Sequence, residues 1–255
     1  MQYFIGFVIA LFIALTGVGA GTLTVPILVL FLNVPAPVAI GIGLTFSTVI
    51  KSILLPAQII RRNVAWRILG FMLLGGVPGV LLGSLLLRRL VDAGSNNLLN
   101  ALLGSILVST ALWQIPFSFR RNQKEADAHD RSPLLAWLMF PVGAEVGFSS
   151  AGAGALGSAA LLALTPLMPA QVVGTDIAFG FLVSLIGSGA HWSSQASNPS
   201  LLVQLITGGL AGAVAGTFLS TRIPRRALRF ALWVWILTLG CQFLVKSYQV
   251  WAGQH

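Results

Sequence analysis

Charge is what this sequence has least of. Only 8% of its 255 residues are charged, against 56% hydrophobic, and the mean hydropathy is +0.89. A soluble domain covers its surface with about a quarter charged residues, so the composition selects a membrane protein. One cysteine, Cys241, excludes an internal disulfide, and three histidines make a multi-histidine metal site an unlikely design. There is no nucleophile–histidine–acid set, no metal-ligand cluster and no phosphate loop. Enzymatic chemistry is therefore not expected, and neither a cofactor nor a metal is implied.

The net charge of +9 does not point to nucleic acid, because the basic residues sit in short clusters between long apolar runs. The clusters are Arg61, Arg62 and Arg67; Arg120, Arg121, Lys124 and Arg131; and Arg222, Arg225, Arg226 and Arg229. Basic residues mark the cytoplasmic loops of bilayer proteins in this way. The opening MQYFIGFVIALFIAL lacks a basic n-region, and it is read as part of the mature chain and not as a signal peptide.

The chain is one unit written twice. A gap-free shift of 133 residues lays Gly19 and Gly21 on Gly152 and Gly154, Gly41 on Gly174, and Gly75, Gly76, Gly79 and Gly83 on Gly208, Gly209, Gly212 and Gly216. Chance would give about one or two such coincidences, so the repeat is real. The expected organisation is a first membrane repeat over 1–119, a charged cytoplasmic connector over 120–132 and a second repeat over 133–255. Lipid offers no hydrophobic drive for helices to associate, so the four-residue glycine spacing predicts two faces where backbones approach closely.

Apolar segments of spanning length, about 20 residues, run over 37–60, 67–88, 97–119, 169–192, 199–221 and 228–250. Two longer ones, 3–32 and 133–166, are interrupted by glycine. Each could be one bent helix or two half-helices that enter the membrane and turn back. If both turn back, all three basic clusters share one side, and the positive-inside rule favours that solution. It gives an all-α polytopic protein of the inner membrane with periplasmic termini. Its two repeats are inverted, each with a glycine-broken helix pair and three transmembrane helices. Trp66, Trp113, Trp192, Trp233 and Trp251 fall near span ends, where tryptophan anchors a helix at the interface.

Irregular backbone at membrane depth survives only where protein or a watery cavity covers it. The two breaks are therefore expected to meet near the midplane, with helices restarting at about Gly21 and Gly154. Their free N–H groups and positive dipole ends would suit a small anion. Gly19, Gly21, Thr22, Ser150, Gly152, Gly154 and Thr175 are the candidate binding residues, although glycines that only permit close packing are the plainer alternative. Lys51, about 15 Å deep in its helix, could balance the anion's charge or simply be a snorkelling or paired lysine. Ionisable residues inside spans mark function by default: Glu145 precedes the second break and Asp176 follows it. Either could pair with Lys51, or carry a proton. Gln58 and His191 are equivalent under the shift and are candidate gates at opposite membrane faces.

The doubled motif resembles the TauE/SafE family of sulfite and organosulfur-anion transporters. The residues that carry the resemblance are Gly17-Val18-Gly19-Ala20-Gly21-Thr22-Leu23-Thr24-Val25-Pro26 with Pro35-Ala36-Pro37-Val38-Ala39-Ile40-Gly41. They recur as Gly152-Ala153-Gly154-Ala155-Leu156, Pro166 and Ala170-Gln171-Val172-Val173-Gly174-Thr175. The second copy departs in having Ala159 where the first has Pro26. The resemblance covers nearly the whole chain and implies secondary transport, chiefly export, of a small anion such as sulfite. An anion channel, or a carrier of another small sulfonate or carboxylate, is the alternative. The expected partners are that anion and the lipid bilayer, without nucleic acid; a homo-oligomer is compatible with this reading.

Overall fold

The structure is a computed structural model that describes residues 2–16, 20–94, 96–119, 131–151, 154–192, 199–219 and 225–252. Among the described residues the regular elements are ten α-helices. These are α1 (Gln2–Thr16), α2 (Ala20–Phe31), α3 (Ala36–Ile60), α4 (Trp66–Asp92), α5 (Asn96–Phe119), α6 (Leu134–Ser149), α7 (Ala155–Leu164), α8 (Pro169–Ala190), α9 (Pro199–Leu219) and α10 (Arg225–Ala252). No strand occurs among the described residues. By length and apolarity α3, α4, α8 and α9 can each cross a membrane. In α5 and α10, of 24 and 28 residues, the apolar stretches run over Asn97–Trp113 and Trp233–Val245.

Helix boundaries follow local chemistry. Proline stands in the first turns of α3 and α8, where its missing N–H costs nothing. The side-chain oxygen of Gln171 accepts the Met168 N–H at 3.2 Å and closes the first turn of α8. The turn after α3 places Arg62 at φ +54°, and the one after α4 places Gly94 at φ +68°. Pro26, Pro56, Pro78 and Pro141 lie inside helices, as membrane bundles allow because neighbouring elements re-satisfy the backbone.

Packing repeats the 133-residue shift contact by contact. On α4, side chains at Gly75, Gly79 and Gly83 would strike the carbonyls of Ala136, Phe140 and Ala144 on α6. On α9, side chains at Gly208 and Gly212 would strike the carbonyls of Tyr3 and Phe7 on α1, and Gly216 lies against Leu11 and Ala14. Tyr3, Phe7 and Leu11 are Ala136, Phe140 and Ala144 moved by 133, and Ala14 is an added contact of Gly216. The rings follow the same rule, with Phe179 filling the hollow over Gly76 and Phe46 the hollow over Gly209. Both rings are fully buried. Each repeat thus lends its first helix to the other repeat's fourth, and α4 runs parallel to α6 as α9 does to α1.

The equivalent helices α3 and α8 pair with each other, antiparallel. Thr45 Oγ1 lies 2.8 Å from Ser188 Oγ, and Ser184 Oγ donates to Ser47 Oγ at 3.1 Å. Antiparallel pairing also joins α5 to α10, where Ser247 Oγ donates to the Asn97 carbonyl at 2.9 Å and Gly104 meets Phe243 and Leu244.

The second broken segment is a hairpin. The Arg131 N–H donates to the Leu164 carbonyl at 3.1 Å, so the chain enters along α6 and returns along α7 to where it began. This settles the choice left between a bent helix and two half-helices for that segment. The α3–α4 turn, carrying Arg61 and Arg62, seats its Asn63 carbonyl on Gly174 near the start of α8. The α3–α4 turn and the starts of α6, α8 and α10 therefore lie toward one end of the bundle.

Tryptophans divide by position. Trp66, Trp113 and Trp192 are exposed, whereas Trp233 is fully buried. An interface anchor needs its ring at the lipid boundary, so Trp233 is a core residue and the expectation for it is corrected.

Candidate functional site

The two breaks touch. Gly21, in the first turn of α2, lies against the carbonyl and hydroxyl of Ser150 at the end of α6, leaving no space for a side chain. Ser150 is held at φ +62° as the left-handed cap of α6, its N–H donating to the Val146 carbonyl at 2.8 Å. Such backbone is uncommon for a residue with a side chain, and strain of this kind gathers at functional sites. Its repeat equivalent is Gly17, the residue type that adopts this conformation without cost. The Ser150 hydroxyl is buried, with no hydrogen-bond partner among the described residues. Gly43 on α3 closes the same spot, where a side chain at Gly43 would come within 3.0 Å of the hydroxyl.

Around this contact Thr22 is buried, and Gly154 caps the start of α7. Gly19 and Gly152 lie outside the described residues. The neighbouring Ser149 hydroxyl donates to the Glu145 carbonyl at 2.9 Å, and its oxygen accepts the Ala151 N–H at 3.2 Å, which fixes the turn.

A second cluster lies farther along α3. Lys51 is buried, and its ammonium has no hydrogen-bond partner among the described residues. The acid whose charge reaches it is Asp176 on α8. Asp176 Oδ1 fills the space left by the absent side chain of Gly157, and Oδ2 accepts from Ser158 Oγ at 2.8 Å. No hydrogen bond joins the Lys51 ammonium to either Asp176 or Glu145 among the described residues. Eight residues separate Lys51 from Gly43 on one helix, about 12 Å at the helical rise. The lysine is therefore near the meeting of the breaks but not within it.

The remaining candidates are dispersed. Glu145 turns away from Lys51 toward α5, where Thr110 Oγ1 lies 2.7 Å from its carboxyl oxygen. Thr175 sits at the bundle end, its hydroxyl accepting the Ala65 N–H at 2.9 Å at the start of α4. Gln58 is also near that end, bound by the Asn63 amide at 2.9 Å. His191 closes α8, with its ring Nε2 3.0 Å from the Gly147 carbonyl.

Ser158 and Gly157 escaped the sequence reading, although a signal was present. The repeat equivalents of Asp176 and Ser158 are Gly43 and Val25, and those two are in contact. The halves therefore differ together at one neighbouring pair, apolar in the first and acid with hydroxyl in the second.

The sequence pattern described as "Sulfite exporter TauE/SafE" matches residues 3–243. The probable membrane transporter protein YjnA of Bacillus subtilis (strain 168) is 25% identical over 194 residues, covering 72% of this chain and 76% of that protein. No solved structure matches. Together with the all-helical bundle and its membrane-length apolar helices, the match over nearly the whole chain establishes a multi-pass membrane transporter belonging to the TauE/SafE sulfite exporter family.

Proposed function

We propose that this protein is a secondary transporter of a small sulfur-containing anion, sulfite or a close relative, and exports it across the bacterial inner membrane. The observation that carries this reading is the contact of Gly21 with Ser150, which joins the two breaks. There α2 and α7 begin, and the unpaired N–H groups of helix starts favour negative charge. The buried Ser150 hydroxyl supplies a further donor. The binding group is Gly21, Thr22, Ser150 and Gly154, with Gly19 and Gly152 from the adjoining chain. Lys51 provides the balancing charge from farther along α3, with Asp176 as its resting counter-ion. Thr175 acts from the rim, and Gln58 and His191 gate the two ends.

Alternating access is supported by the pairing pattern. Antiparallel contact between equivalent helices α3 and α8 fits two inverted repeats, divided at 120–132, and repeats so related can exchange conformations. The hairpin of α6 and α7 is then a re-entrant element. The cytoplasmic side is the end with the α3–α4 turn, Arg131 and the start of α10 at Arg225, which leaves both termini periplasmic.

Ligand binding to the folded state tests the site. Sulfite at about 100 times its Kd should stabilise the detergent-solubilised protein by roughly 2.7 kcal/mol, and acetate should do much less. Equal melting with and without sulfite, thiosulfate and sulfoacetate would contradict the reading.

A further inference from the structure

Glu145 stands apart from the anion site, and its hydrogen bonding has an unusual property. Thr110 Oγ1 lies 2.7 Å from the Glu145 carboxyl and 2.8 Å from the Ile106 carbonyl. A hydroxyl has a single proton to give but can also accept. If Thr110 donates to Ile106, the short contact with Glu145 requires the proton to come from the carboxyl, which is then neutral. If Thr110 donates to Glu145, the carboxyl is ionised. One arrangement of heavy atoms therefore serves both charge states.

Among the described residues, the surroundings hold no counter-charge. Glu145 faces a cleft of about 320 Å³ between α4, α5 and α6, lined by Leu82, Leu86, Leu102, Ile106, Pro141 and Phe148 among others. Of the elements packed against α6, α2, α5 and α7 carry no charged residue. On α4, Arg67, Arg88, Arg89 and Asp92 do not line the cleft. On α8, Asp176 is engaged with Ser158, and His191 beyond its end reaches the Gly147 carbonyl.

The repeat supplies an internal control. Glu145 falls on Phe12 and Thr110 on Phe243, the latter fully buried. The equivalent pair, Phe12 of the first repeat and Phe243 of the second, consists of two aromatic rings, so packing does not require a carboxyl there. An ionisable group kept at membrane depth without a structural need marks function.

We propose that Glu145 is the carboxyl that takes up and releases the proton coupled to transport, with Thr110 as the positioning residue that bonds both of its forms. This rests on the anion-transport reading above and adds the coupling ion and its carrier. The step is proton exchange between the Glu145 carboxyl oxygen and water reaching the cleft, with no other bond made or broken.

The test uses the full chain in lipid vesicles and has two arms. In the first, infrared difference spectra across a pH series should show a titrating carboxyl C=O stretch that is absent from Glu145→Gln and displaced in Thr110→Val. In the second, an imposed pH gradient should change wild-type sulfite accumulation at least fivefold. Glu145→Gln should lose that response, Glu145→Asp should recover part of it, and Thr110→Val should keep it with a shifted pH profile. A wild-type gradient response in Glu145→Gln, or the same titrating band in that variant, would overturn the proposal. If wild type moved no sulfite, the transport reading would fail, while the infrared arm would still decide whether Glu145 exchanges a proton.

Discussion

Gly21 and Ser150 are in backbone contact, so that a methyl group on Gly21 would overlap the Ser150 carbonyl. The contact ties the two glycine breaks together, and its removal should affect fold and site at once. Gly21→Ala is expected to cost about 1–3 kcal/mol, as overpacking of a tight interior does, and to weaken sulfite binding because the helix starts move apart. Thermal unfolding and binding on the same preparation check both; a variant with unchanged stability and affinity would refute the contact's importance.

Ser150 allows backbone and hydroxyl to be separated. Ser150→Gly should fold at least as well as wild type, since glycine reaches φ +62° without strain, and Ser150→Val should be clearly destabilised. Glycine and alanine variants should both bind sulfite more weakly, by about tenfold or more if the hydroxyl donates to a charged ligand. Wild-type affinity in Ser150→Ala would remove the hydroxyl from the site.

The two glycine faces should respond alike. Gly79→Ala and Gly212→Ala each push a methyl into a carbonyl of the facing helix, and similar losses of about 1–3 kcal/mol are expected. Gly70, on the same helix as Gly79, has open space around it. Gly70→Ala should therefore gain up to about 1 kcal/mol from helix propensity. Unequal losses at 79 and 212 would weaken the equivalence of the halves.

Lys51 and Asp176 should behave as a coupled pair. Either Lys51→Met or Asp176→Asn leaves the other charge buried, a loss of about 3–5 kcal/mol. The double variant should recover much of the stability but not the sulfite affinity. A double-mutant cycle on melting checks the coupling, and additive losses would show that the two charges act independently.

Much of this was legible in the sequence because glycine in a bilayer protein has few uses. The shift of 133 foretold that Gly75, Gly79 and Gly83 would meet backbone and that Gly208, Gly212 and Gly216 would do so in the same register. The basic clusters favour two half-helices over one bent helix in both broken segments, and the Arg131–Leu164 hydrogen bond brings the ends of the second one together. Partner choice was not legible. Nothing in the spacing directs Glu145 to Thr110, 35 residues away, or Asp176 to Lys51, because these depend on which helix faces which. Gln58 and His191 are equivalent by register but not by contact: the chain turns sharply after Gln58 and brings Asn63 onto it, whereas His191 reaches back to Gly147.

The proposed function requires that a sulfur oxyanion pass through the site where the breaks meet. Sulfite uptake into proteoliposomes, with thiosulfate and sulfoacetate as competitors, tests it most directly. Saturable uptake that the competitors inhibit, and that Lys51→Ala lowers at least tenfold while remaining folded, is the predicted result. Folded wild-type protein that takes up none of the three anions would contradict the sulfur assignment.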